Sequence, residues 1–231
     1  MPDVPGARPG GVPLNREGYL DRWSELHGGV APRGIVGGWL SLAYRTGRPL
    51  ARLGVPPDVV TLLGLVVAAL VLPLAAAGGR WVLLAVAVVV LSALLDGVDG
   101  TVAILSGRVT PWGYVLDSLC DRLADACYVG ALWLAGADGP LCVLGGGISW
   151  LQEYLRARAA GGGMSEAGVI TVSERPTRVI VTAMFLIGAG LYPEDAAGWA
   201  TAGAAAWATL GAVGVGQLAV VVRRRLGRQL P

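Results

Sequence analysis

The chain has 231 residues, of which 54% are hydrophobic and only 15% charged, and its mean hydropathy is +0.61. Those values exclude an ordinary soluble globule and point to an integral membrane protein. The net charge of +2 is too small to imply nucleic acid as a partner. Every basic residue is arginine, which we read as genome composition. Cys120, Cys127 and Cys142 fall in apolar segments at spacings unlike a zinc site, as packed thiols do.

Residues 1–34 are rich in Pro, Gly and charge and read as a flexible N-terminal segment. A short helix around Arg16–His27 fits within it, with Tyr19, Trp23 and Leu26 on one face. His27, the only histidine, has no ligand set around it and reads as solvated. The stretch from about 35 to 52 mixes apolar residues with Arg45, Arg48 and Arg52, the pattern of an amphipathic helix lying on a membrane surface. The first long apolar span begins near residue 58, too late for a cleaved signal peptide. Six spans of roughly the length needed to cross a bilayer follow, near 58–77, 81–105, 112–136, 139–159, 174–192 and 196–222. The expected fold is therefore all-α, a membrane bundle over residues 35–222, followed by a basic tail at 223–231.

Arginine asymmetry orients the bundle. Arg33, Arg45, Arg48, Arg52, Arg108, Arg156, Arg158, Arg175, Arg178, the Arg223–Arg225 run and Arg228 fall on one side if six helices alternate. The other side keeps Arg80 with Asp138, Glu194 and Asp195. Both termini are expected in the cytoplasm, in a multi-pass protein of the cell (plasma) membrane.

Two aspartate pairs interrupt this apolar chain. Asp96 and Asp99 close the second span, and Asp117 and Asp121 lie in the third. A carboxylate within a membrane helix costs about 2.5–3.5 kcal/mol on insertion scales, so the group calls for compensation. Arg108 and Arg122, the nearest cations in sequence, are too few, whereas carboxylate oxygens suit hard cations such as Mg²⁺ or Mn²⁺. Helical spacing puts Asp96 and Asp99 on one face, and Gly113, Asp117, Asp121 and Asp125 on another stripe. If the two helices are neighbours, their carboxylates converge, and two divalent ions would neutralise them, as in sites that clamp a phosphoryl group. Gly100 and Gly113 leave room for a ligand or a helix to approach the backbone.

Asp96, Asp99, Gly100, Ala103, Gly113, Asp117 and Asp121 match, in spacing, the D-x2-D-G-x2-A-R-x8-G-x3-D-x3-D signature, and the chain thereby resembles the CDP-alcohol phosphatidyltransferases. Ile104 departs from it, standing where the signature has arginine. The resemblance covers roughly residues 40–222, and YLRARA at 154–159 and SERPTRVIV at 173–181 are similar to segments of bacterial phosphatidylinositol-phosphate synthases. It implies transfer of a phosphatidyl group from CDP-diacylglycerol to an acceptor hydroxyl, with CMP released. It implies that Asp96, Asp99 and Asp117 are the main metal ligands, and that Asp121 completes the site and acts as general base. It implies that Asp58, Thr61, Gly100, Ala103, Arg108 and Gly113 serve the nucleotide donor. Arg158, Arg175 and Arg178 match positions that line the pocket for an anionic polyol, most simply inositol phosphate.

The alternatives at this stage are glycerol 3-phosphate or phosphatidylglycerol as acceptor, a degenerate non-catalytic member, and, from another class, a cation transporter. For Ile104, either another cation such as Arg108 substitutes, or the substrate differs, or the site is weakened. Asp125 continues the aspartate stripe and reads as a packing or supporting residue. Gly211, Gly214 and Gly216 would permit close helix packing and a dimer seam.

Overall fold

The computed structural model describes residues 14–26, 29, 31–164 and 169–227. His27 and Arg228 lie outside them. No strand occurs among the described residues. The helices are α1 (Arg16–Leu26), α2 (Gly34–Arg52), α3 (Pro57–Ala69), α4 (Val71–Ala77), α5 (Trp81–Ser106), α6 (Pro111–Leu134), α7 (Gly139–Gly161), α8 (Arg175–Leu191) and α9 (Ala196–Leu226). A single 3₁₀ turn, Pro193–Asp195, precedes α9.

The element ends follow from local chemistry. Pro73 has no N–H to donate to Ala69, and its ring crowds that carbonyl, so the apolar run from 57 to 77 breaks at Leu70 into α3 and α4. Gly107 adopts φ +65° and closes α5, with Arg108 N–H donating to Ala103 O at 2.9 Å and Gly107 N–H to Ile104 O at 3.3 Å. Thr110 then caps α6, its hydroxyl accepting from Gly113 N–H at 3.0 Å, with Pro111 opening the helix.

Among the described residues, three stretches are long and apolar enough to cross a bilayer: Pro57–Ala77, Trp81–Ser106 and Pro193–Leu226. The sequence reading expected six. Charge accounts for much of the difference: α6 holds Asp117, Asp121, Arg122 and Asp125, and α7 holds Glu153, Arg156 and Arg158 beside three successive glycines. Helix α8 has 17 residues.

The chain divides into two compact units. The first joins Met1–Val66 to Leu91–Asp121. In it α2 buries Leu40, Ala43, Tyr44 and Gly47 while Arg45 and Arg52 stay exposed. A Cβ at Gly47 would lie 2.9 Å from Thr101 Cγ2, so the missing side chain is what lets α2 approach α5. Helix α3 is tied to α5 by Ser92 Oγ donating to Gly64 O at 3.0 Å. Val60, Val98, Val102 and Ala43 fill the space among these helices. Helix α1 adds Tyr19, which is buried, and Leu20 and Trp23, half-buried; Leu26 remains exposed.

The second unit joins Val67–Val90 to Arg122–Pro231. Its core is built on Tyr128, Leu132, Leu186 and Trp207. Trp207 Nε1 donates to Thr182 Oγ1 at 3.1 Å, and that hydroxyl donates to Arg178 O at 2.9 Å. Helix α9 packs through glycines: a Cβ at Gly203 would meet Phe185 Cβ at 2.8 Å, at Gly211 Ile148 Cγ2 at 2.8 Å, and at Gly214 Gln152 Oε1 at 2.7 Å. Gly211 and Gly214, expected to permit a dimer seam, are thus used inside the chain, whereas Gly216 faces open space.

This packing separates two substitutions on one helix. Gly203→Leu should lower the melting temperature of the detergent-solubilised protein, overpacking costing about 1–3 kcal/mol, while Gly216→Leu should leave it near the parent value. Equal melting temperatures for the two variants would contradict the packing of α9.

Candidate active site

Four aspartates are delivered by the two helices that Gly107 and Thr110 punctuate. Asp96 and Asp99 stand one turn apart on α5, and Asp117 and Asp121 one turn apart on α6. Carboxylate oxygens of Asp96, Asp117 and Asp121 lie within 4.8 Å of one another, each side chain half-buried. Asp99 is 4% exposed and close enough to Asp96 and Asp117 for their charges to repel. The site lies within the first unit.

These residues fit a divalent cation on two observations. The donors are all carboxylate oxygens, the set preferred by Mg²⁺ and Mn²⁺. In addition, Asp99 Oδ2 is buried with no hydrogen-bond partner, a costly arrangement unless something else satisfies it. Like charges at such separations repel by roughly 3 kcal/mol per pair at an effective dielectric near 20, which a bound cation reverses.

The start of α3 stands against the same two helices. Thr61 lies beside the Asp99 carboxylate, its hydroxyl also within 3.2 Å of Pro57 O. Asp58 accepts a hydrogen bond from Trp112 Nε1 at 3.2 Å, and a Cβ at Gly113 would come 4.0 Å from its other oxygen. The tighter neighbour of a side chain at 113 would be the capping hydroxyl of Thr110, 3.2 Å from such a Cβ. Gly100 is exposed and opens onto free space. Ala103 is half-buried, and its carbonyl is engaged by the α5 cap. Arg108 is exposed and donates to Gly54 O at 3.4 Å, without an ion pair to the aspartates among the described residues.

Ile104 is half-buried against the cluster of Tyr19, Leu40, Tyr44 and Leu105. Its surroundings are apolar side chains contributed by α1 and α2, which is a physical reason for isoleucine at this position.

The second unit gathers arginines and acids into a charge-balanced group. Arg178 is 3% exposed and lies 3.2 Å from Asp125 and 3.3 Å from Glu153. Arg122 lies 3.5 Å from Asp125 and 3.2 Å from Glu153. Arg156 reaches Glu174 at 2.8 Å and Glu153 at 3.4 Å, and donates to Val169 O at 2.9 Å. The three arginines face three carboxylates. Arg158 is exposed, and Arg175 is half-buried at the first residue of α8. The three expected acceptor arginines thus have different surroundings. Sequence reasoning missed Glu153 and Glu174. The spacing of Glu153 to Arg156 and of Arg122 to Asp125, each three residues, was the available signal.

An all-helical, apolar chain with a carboxylate cluster suited to a hard cation defines a class, the helical membrane proteins with a divalent-cation site. Residues 55–215 match the sequence model of the CDP-alcohol phosphatidyltransferases, and the chain belongs to that family. A phosphatidylinositol phosphate synthase from Mycolicibacterium smegmatis is 38% identical over 162 residues, 66% of this chain and 69% of the relative. The crystal structure of a Mycobacterium tuberculosis phosphatidylinositol phosphate synthase with CDP-DAG bound superposes with a TM-score of 0.65 at 29% identity, covering 78% of this chain and 93% of the other. The same enzyme in complex with manganese and citrate gives 0.64 at 29% identity, covering 78% and 88%. The chain is therefore a phospholipid-synthesising transferase of the membrane; nothing in these comparisons supports a cation transporter.

The packing of Ile104 gives a directional test. Ile104→Arg should lower the melting temperature and fail to raise CMP release, because the guanidinium would be desolvated among apolar side chains. A several-fold gain in turnover with CDP-diacylglycerol would contradict this and mark the parent site as one that has lost a useful cation.

Proposed function

We propose that this chain transfers the phosphatidyl group of CDP-diacylglycerol to a hydroxyl of inositol phosphate, with CMP as leaving group. The observation that carries the reading is the convergence of Asp96, Asp117 and Asp121, with the buried Asp99 close to Asp96 and Asp117. In the reaction a bond forms between the acceptor oxygen and the β-phosphorus of the donor, and the bond from that phosphorus to CMP breaks. Asp96, Asp99 and Asp117 would hold divalent metal, two ions in the full reading. When bound, the metal supplies Lewis-acid stabilisation of charge on the transferring phosphoryl group. Asp121 accepts the proton of the attacking hydroxyl. Asp58, Thr61, Gly113, Gly100, Ala103 and Arg108 bound the space for the nucleotide, an arrangement supported by the placement of α3 against Asp99 and Gly113.

Inositol phosphate is favoured as acceptor by the names of the relatives and by the arginines. Arg158 and Arg175 are the direct phosphate ligands in this reading. Arg178 joins them only by exchanging a carboxylate partner for the phosphate, since Asp125 and Glu153 already meet its charge. Glycerol 3-phosphate is the second choice.

The membrane arrangement proposed is six crossings, α3 with α4 and then α5 to α9, within a domain spanning about 35–222. The arginine distribution supports a reading with both termini and the aspartates on the cytoplasmic side of the plasma membrane, and the mix of apolar residues and arginines in α2 supports its lying on the membrane surface. Self-association into a homodimer, if carried by α9, uses the exposed face of Val213, Gly216 and Val220.

The test is the purified full chain with CDP-diacylglycerol, Mn²⁺ or Mg²⁺ and a panel of acceptors, read by CMP release. Inositol phosphate should give the highest kcat/KM, EDTA should abolish turnover, and Asp121→Asn should lower kcat by about 10²–10⁴-fold. Turnover in EDTA would contradict the metal assignment, and faster reaction with uncharged inositol or glycerol 3-phosphate would contradict the acceptor.

A further inference from the structure

Helix α1 lies wholly outside residues 55–215, the part of the chain that the family shares. At 11 residues it is too short to be stable alone in water. Asn15 caps it, accepting from Gly18 N–H at 2.8 Å. Its stability must otherwise come from docking. Arg16 donates to Ser41 Oγ at 2.8 and 3.1 Å, and Tyr44 Oη donates to Leu14 O at 3.1 Å. The Tyr19 and Tyr44 rings lie 5.5 Å apart.

One docking contact runs toward the aspartates. Tyr19 is 1% exposed, and its Oη lies 2.9 Å from Thr101 Oγ1, also buried. The single Thr101 hydroxyl proton goes to Gly97 O, at 2.8 Å. Thr101 Oγ1 is therefore the acceptor and Tyr19 the donor. Burial raises the Tyr19 pKa above its ordinary value, keeping the phenol a neutral donor at physiological pH. The relay Tyr19–Thr101–Gly97 ends on a carbonyl between Asp96 and Asp99 in sequence. Ile104, one turn beyond Thr101 on α5, seats the apolar side of the same helix.

We propose that α1 is a clamp on the metal-binding segment of α5, with Tyr19 and Thr101 as positioning residues and Ile104 as the apolar seat. By holding the Gly97 carbonyl from outside, the relay restrains the turn from which Asp96 and Asp99 project. Isoleucine at position 104 and the presence of α1 are then one adaptation: the side chain faces a helix instead of a ligand.

The inference rests on the reading of the aspartates as a metal site, so its test has one arm that does not need turnover. Hydrogen exchange of peptides covering residues 96–106 is compared in the full-length parent, Tyr19→Phe, Thr101→Val and the double variant. Mn²⁺ affinity is measured by electron paramagnetic resonance, and kcat and both KM values by CMP release. Exchange should quicken by about three- to tenfold in each single variant, within this segment and not in the peptides of α9. The double variant should be no worse than the singles, because one relay is broken in all three. Mn²⁺ should bind about three- to tenfold more weakly, with kcat falling and the donor and acceptor KM within about twofold of the parent. Thr101→Ser, which keeps the hydroxyl, should behave as the parent. Parent-like exchange and Mn²⁺ affinity in Tyr19→Phe, or additive losses in the double variant, would overturn the proposal. If the parent releases no CMP under any condition, the functional reading fails, while the exchange data still decide whether α1 holds this segment.

Discussion

Mutual repulsion among the carboxylates of Asp96, Asp99, Asp117 and Asp121 is the constraint around which the first unit is built. Negative charge at this density within an otherwise apolar chain does not persist without compensation. The neighbouring helices do not bring Arg108 to it, since Arg108 is turned to a backbone carbonyl. What the fold supplies instead is rigidity. Gly107 and Pro111 end and restart the chain at defined points, and Thr110 fixes the first turn of α6. Gly47 and Gly64 let α2 and α3 lie close against α5. Each device limits how far the oxygens can move apart, which favours a bound cation over relaxed, separately solvated acids.

The second unit solves a similar problem in the opposite way. Its buried charges are answered by other side chains, three arginines against Asp125, Glu153 and Glu174. Removing one partner from such a group leaves an uncompensated buried charge, which is why these networks tend to be kept whole. The contrast between paired arginines and acids in one unit and a cluster of carboxylate oxygens drawn together in the other separates support from chemistry more clearly than either group alone. It also qualifies the part assigned to Arg178, whose charge is available to an acceptor only by exchange.

Much of the site was legible because helical spacing is a local property. Asp96 and Asp99, three apart, and Asp117 and Asp121, four apart, could be assigned to shared faces before any packing was known. Helix limits were likewise near the apolar limits, as for Trp81–Ser106 and Gly139–Gly161. Tertiary choices were not legible. Glycines 211 and 214 on α9 could serve a second copy of the chain or α7 of the same chain, and sequence pattern does not distinguish these. The break at Leu70 was foreshadowed by Pro73 but hidden in an apolar run long enough for one span. Ile104 looked like a deficit because the cluster that covers it comes from helices more than fifty residues earlier in the chain. The acids that meet Arg156 and Arg178 were not legible as their partners, because Glu174 lies 18 residues from Arg156 and Glu153 lies 25 from Arg178.

The account depends on the claim that the aspartates hold a divalent cation. Anomalous diffraction at the manganese edge, from crystals of the purified chain grown with Mn²⁺, tests it without reference to turnover. The expected result is a peak bounded by the carboxylates of Asp96, Asp99, Asp117 and Asp121 that disappears in Asp117→Asn. No peak there in the parent, or one that persists unchanged in that variant, would contradict the account.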